Sequence, residues 1–316
     1  AAMGGLIAAL FLYTIKRSIL YKDDMLEAGK RRIPILLGIM AWAFTTYIIL
    51  KGIKKLIKVE MPIALGIGFG AAVLTYFITR PLITKAAASL KNHKDSIDGL
   101  FVIPLIVGAC FLSFAHGAND VANAIGPLAA INEAVRSSEI ATSASIPLWV
   151  MGVGALGIAV GLALYGPKLV RTVGSEITEL DMTRAFCVSL AAAITVIIAT
   201  HFGLPVSSTH IAVGAIFGVG FLRELLSYRY HQKLELVREY MSEKKGETEE
   251  SAAEFVEIFD NATVSEKKRI LDELKTARKG HGRRKKLKRA YREQLVQRSL
   301  LIKIVVAWVV TVPLSG

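Results

Sequence analysis

The segment Phe111–Ile131 reads FLSFAHGANDVANAIGPLAAI. Its flanks are apolar, yet its middle carries a histidine, two asparagines and an aspartate. On a helix, His116, Asn119, Asp120 and Asn123 share one stripe, while Gly117, Ala118, Val121 and Ala122 fill the other sides. An aspartate inside an apolar span costs about 2.5–3.5 kcal/mol on insertion scales, and such residues usually line an ion or substrate path. The segment therefore predicts a membrane helix with a polar working face.

The rest of the chain agrees. Of its 316 residues 53% are hydrophobic, and the mean hydropathy is +0.47. Apolar runs near 1–15, 33–50, 62–79, 99–131, 146–166 and 183–222 alternate with short charged segments, and a further run starts near Leu300. Several reach the roughly 20 residues needed to cross a bilayer. The expected fold class is all-α, a polytopic helical membrane protein. Small residues recur in the runs (GIGFGAAV from Gly66, MGVGALGIAVGLA from Met151) and allow close helix contacts. Cys110 and Cys187 lie within apolar runs and read as small buried hydrophobes, with no metal-ligand spacing.

The net charge of +13 lies mostly between the runs, as the positive-inside rule requires. Segments 16–32, 80–98 and 223–299 are assigned to the cytoplasm and 132–145 to the outside. The stretch 51–60, KGIKKLIKVE, then falls outside against its four lysines. Residues 223–299 hold about half of all charged residues. They open with apolar residues at helical spacing and end strongly basic, and read as a hydrophilic cytoplasmic insertion with no nucleic acid expected. The expected divisions are 1–98 as membrane scaffold, 99–222 as a transport unit carrying both polar motifs, 223–299 as the insertion and 300–316 as a further span. Both chain ends read as spans cut short, which suggests a piece of a longer protein.

The second polar motif is GLPVSSTH, Gly203–His210. Pro205 should stop one helix, and Ser207, Ser208 and Thr209 can cap the next. A half-helix N-terminus inside a membrane offers free N–H groups and partial positive charge to an anion. The run 183–222 is then two spans or a re-entrant hairpin with a broken helix. Neither motif contains Lys or Arg. An anion beside Asp120 needs a positive companion, which is a sodium ion on oxygen ligands or a proton on the carboxylate. The pattern suggests anion–cation symport. The residue types of a hydrolase triad are present, but a G-x-S-x-G elbow is not, so the reading is not an enzyme.

The pair GANDVANA (117–124) and GLPVSSTH (203–210) resembles the signatures of the inorganic phosphate transporter (PiT) family of sodium- or proton-coupled phosphate transporters. That resemblance implies two inverted repeats around one phosphate. It implies phosphate ligation by Asp120, Asn123, Ser207, Ser208 and Thr209. Sodium would be held by Asn119, Asp120, Asn123 and Ser207, with Asn119 and Asp120 as the principal ligands. It also implies a plasma-membrane symporter with no cofactor beyond the coupling ion, in contact with lipid. A homodimer is a further expectation, from the small-residue helix faces. Only one copy of each motif is present here, so the first repeat is expected before Ala1. Proton coupling, or sulfate as the substrate, is the alternative.

Overall fold

The computed structural model describes residues 1–52, 59–137, 146–171, 177–202, 204, 206–245, 258–259, 262–263, 265–267, 269–270 and 296–315. Nine helices of seven residues or more run through them: α1 Ala2–Ile15, α2 Met25–Tyr47, α3 Met61–Ala87, α4 Lys94–Leu100, α5 Val102–Ser137, α6 Leu148–Arg171, α7 Met182–His201, α8 Ser208–Lys245 and α9 Arg298–Ser315. There is no strand among the described residues. Seven segments, on α1 to α3 and α5 to α8, are long and apolar enough to cross a membrane. The chain is a polytopic helical membrane protein, as the hydropathy pattern predicts.

Helix ends depart from the hydropathy boundaries, for local reasons. The 16–32 segment is not one loop. α1 continues through a wider turn to Leu20, and α2 begins at Met25, eight residues before the apolar run. Asp24 accepts from the Glu27 amide at 2.9 Å, and Glu27 pairs with Arg31 at 3.0 Å, so the charged stretch is itself the start of the helix. Lys30, Arg31 and Arg32 therefore ride on α2. Likewise α3 continues past Arg80 to Ala87. The expected divisions at 98/99 and 222/223 fall inside α4 and α8, because helical spacing persists where composition turns polar. The loop 138–145, most of 51–60 and the basic stretch 278–292 lie outside the described residues.

Glycine lets the first and eighth helices touch. A Cβ on Gly5 would meet the Gly214 carbonyl oxygen at 2.8 Å, and a Cβ on Gly218 would collide with the backbone of Gly5. With little hydrophobic drive between helices in lipid, such backbone approach supplies the packing energy. Trp42 joins α2 to α3 by donating to the Leu65 carbonyl at 3.1 Å. The core at one end centres on Phe101, Phe186, Leu190, Ile15, Ile19 and Ile33, all buried. By contrast α3 and α6 expose most of their apolar surface, Leu74 and Leu164 among it. That is the exposure a lipid-facing helix shows. Cys187 is buried as expected, but Cys110 is exposed, since α5 turns that face outward from the bundle.

The basic ends of the helices are pinned together. Asn92 accepts from the amides of Met25 and Leu26, at 2.9 and 3.3 Å, and donates to the Asp23 carbonyl. Asp98 of α4 caps α7, taking the amides of Met182 and Thr183 at 3.1 and 2.8 Å. These contacts put the starts of α2, α4 and α7 at one level.

Candidate functional site

The run 183–222 breaks where its sequence predicts. α7 ends at His201, and α8 starts at Ser208 with Ser207 as its cap. The Ser207 hydroxyl accepts from the His210 amide at 3.3 Å, and its carbonyl accepts the first helical bond from Ile211 at 3.1 Å. Gly203 and Pro205 lie outside the described residues. From the Asp98 cap, α7 rises about 1.5 Å per residue, so Val196 sits roughly 21 Å from the basic end. Val196 packs with Ala115 of α5 and Ile211 of α8. By the same rise α7 ends at His201, about 28 Å from that end, so the break lies well away from the basic end of the bundle.

Across the break, α5 presents its polar stripe. Asn119 is buried, and its amide nitrogen donates to the Val206 carbonyl and to Asp120 Oδ1, both at 2.8 Å. The Ser208 hydroxyl is likewise buried. It lies 3.1 and 3.0 Å from the two Asp120 oxygens and 2.7 Å from His116 Nδ1. His116 Nε2 stands 3.3 Å from Asp120 Oδ2. One hydroxyl proton serves one acceptor at a time. Ser208 can donate to the carboxylate while accepting from Nδ1–H, and Nε2 can donate to Asp120 as well only where both ring nitrogens carry hydrogen.

The structure thus brings together Asn119, Asp120 and Ser208 from the predicted set. Ser207 and Thr209 are exposed at the first turn of α8, on the same break. The Asn123 side chain lies outside the described ones. His116, given no role from the sequence, is a full member. Its signal was present, one turn before Asp120 on the same stripe. Trp308 of α9, whose ring lies 4.3 Å from the ring of His210, had no such signal, because nothing local in the sequence links positions so far apart.

The chemistry of this arrangement is that of oxygen ligands beside amide donors. Asp120 and the Asn119 carbonyl oxygen suit a hard monovalent cation. Among the described residues no cluster of His, Cys, Asp and Glu has the make-up of a transition-metal site. The first turn of α8 offers hydroxyls and orphan amides to an anion. A broken helix between apolar spans, with a carboxylate facing it, is an arrangement from which many secondary transporters build a substrate site.

The chain belongs to the phosphate transporter family, matching it over residues 1–316. It is 47% identical over 325 residues to a Helicobacter pylori protein named as a phosphate permease, covering 99% of this chain and 61% of that one. It is 34% identical over 222 residues to a Pyrococcus abyssi protein of the same naming, covering 69% and 54%. Among solved structures it resembles one titled "The sodium-dependent phosphate transporter", with TM-score 0.63 and 32% identity, over 71% of this chain and 55% of that one. The chain thus spans about three fifths of the length of the Helicobacter relative.

Proposed function

We propose that this chain carries one half of the substrate site of a secondary symporter that moves inorganic phosphate with sodium across the plasma membrane. The observation that carries the reading is the meeting of Asp120 and the buried Ser208 at the break between α7 and α8, 3.0–3.1 Å apart. Family membership and the sodium-dependent relative support it. In this reading phosphate lies on the first turn of α8, ligated by Ser207, Ser208 and Thr209. Sodium sits between Asn119, Asp120 and Asn123, with Ser207 beside it, and offsets the repulsion between phosphate and the carboxylate. Neither ion alone is well placed, because each needs the other's charge, and that mutual need is the coupling. The second half of the site comes from an inverted repeat elsewhere in the full-length protein. The 223–299 region stands on the cytoplasmic side, and the assembly is a homodimer in lipid. No covalent step and no enzyme activity enter the reading.

The test uses full-length protein in liposomes, with labelled phosphate uptake driven by an inward sodium gradient and then with choline at fixed pH. Uptake that needs sodium is the expected result. Equal uptake in choline would remove sodium from the reading.

One observation favours proton coupling as a second reading: the His116 imidazole, a group able to carry a proton, touches both Ser208 and Asp120. His116→Gln keeps a hydrogen-bond partner for Ser208 and removes the imidazole. A pH dependence of uptake that persists in this variant excludes His116 as the proton carrier.

A further inference from the structure

Well away from the break, at the basic end of the bundle, four cations converge. Arg184 of α7 donates to the Glu179 carbonyl at 2.8 Å and pairs with Asp181 at 3.0 Å. Arg223 of α8 donates to the same carbonyl at 2.8 Å and to the Thr178 hydroxyl at 3.1 Å, and stands 3.7 Å from the Glu179 carboxylate. Both arginine side chains are only 13% exposed, so their positions are fixed. Lys94 of α4 reaches Asp181 at 3.7 Å. Lys16, at the end of α1, is half-buried, and Ile15 and Ile19 on either side of it pack in one core with Phe186 and Cys187 of α7 and Val219 of α8, which brings the end of α1 to the same end of the bundle as Arg184 and Arg223. Lys16 forms no ion pair with any described residue. The neighbouring carboxylate, Asp98, is committed to the α7 cap.

Two carboxylates thus serve four cations, and the Glu179 carboxylate is largely solvent-exposed, at 89%. Like charges gathered in a half-buried place repel, and a counter-anion relieves that repulsion. The free donors are the Lys16 ammonium and the Nε–H groups of both guanidiniums, which bond to no described residue. That set, one fixed N–H from each of two guanidiniums beside an ammonium with three donors, suits the oxygens of a tetrahedral phosphate group. It lies near the ends of the apolar spans of α1 and α7, where lipid headgroups would meet the protein, and next to α1, whose Leu10 and Tyr13 are exposed.

We propose that Lys16, Lys94, Arg184 and Arg223 form a second anion site that binds a phosphate group at the membrane boundary, distinct from the site at the α7–α8 break. The phosphate group comes from an anionic phospholipid headgroup or from free inorganic phosphate. The intact protein in detergent is titrated with short-chain phosphatidylglycerol, with short-chain phosphatidylcholine and with inorganic phosphate, reading thermal stability and affinity. Wild type is expected to be stabilised by phosphatidylglycerol over phosphatidylcholine. Lys16→Gln and Lys94→Gln should each weaken that affinity about tenfold, while Lys16→Arg retains it. If the two glutamine variants weaken inorganic phosphate instead, the source is the free anion; phosphate at the α7–α8 break is untouched by them. Folded variants that bind both probes as wild type does would overturn the proposal. Should Lys16→Gln fail to fold, the exposed Lys94 carries the test alone.

Discussion

The side-chain amide of Asn119 donates to the main-chain carbonyl of Val206 at 2.8 Å, so a residue of the α5 motif holds the chain just before α8 in place. This bond joins the two sequence motifs directly. The same amide steadies Asp120, which in turn faces Ser208. Positioning of the carboxylate and of the helix start are therefore one event.

Asn119→Ala removes that event. It leaves the Val206 carbonyl without this partner in a half-buried place, a loss of about 1–3 kcal/mol. We expect a lower melting temperature and loss of phosphate uptake together. Retained uptake at wild-type level would mean that the break is held by other contacts.

Helix packing gives a cleaner stability prediction. Gly218 faces the backbone of Gly5, and a side chain there meets main chain that cannot turn away. Gly218→Val should destabilise the protein by about 1–3 kcal/mol or more. Gly157 on α6 has open space around it, so Gly157→Ala is the matched control and should change the melting temperature little. Equal effects of the two would mean that the α1–α8 contact is not a packing determinant.

Much of this was legible in the sequence, for physical reasons that differ by element. The stripe His116, Asn119, Asp120 and Asn123 is a local pattern, and helical periodicity alone puts these positions on one face. The break near Pro205 and Ser207 is also local, since Pro and capping hydroxyls act within a turn. What hydropathy missed were helix starts such as Met25. There a cap made by Asp24 and Glu27 extends the helix into charged residues that average as loop. The compositional change at Arg223 leaves the backbone uninterrupted, since α8 runs from Ser208 to Lys245 through it. The bond from His116 to Ser208 was out of reach for another reason. It joins positions 92 residues apart, and no periodicity spans that separation.

A pH effect is expected in the 263–270 segment. Thr263 and Glu266 form a reciprocal cap: the Thr263 amide and hydroxyl donate to the Glu266 carboxylate at 2.9 and 2.8 Å, and the Glu266 amide donates to the Thr263 hydroxyl. These bonds, first from the Thr263 amide and then from its hydroxyl, hold the Glu266 carboxyl below the ordinary value of 4.5. A depressed folded value means that the cap's contribution is complete above the unfolded value and fades as pH falls through the folded one. The contact of Ser265 with Asp23 should loosen with it. Amide signals of Thr263 and Ser265, followed by NMR down to acid pH, should shift together in wild type. In Glu266→Gln, which keeps an acceptor but does not titrate, the shift should vanish.

The central prediction concerns Asp120 itself. Asp120→Asn preserves shape and one oxygen acceptor for Ser208 while removing the charge. The Asn119 amide then loses a charged acceptor, but Val206 still holds it. Burial of a charge is a stability cost, so folding should survive, with a melting temperature at or near that of wild type. Cation coupling should not survive, because the amide oxygen that remains is a weaker ligand for a hard cation than a carboxylate. In full-length protein, sodium-driven phosphate uptake should fall by about a hundredfold or more, equivalent to roughly 2.7 kcal/mol or more of lost stabilisation. Sodium should also no longer raise the melting temperature of the variant, as it should for wild type. Those two readouts separate the outcomes. Lost uptake with sodium stabilisation intact would place the cation elsewhere and leave Asp120 acting on phosphate alone. Wild-type sodium dependence in both would remove the aspartate from the coupling site altogether.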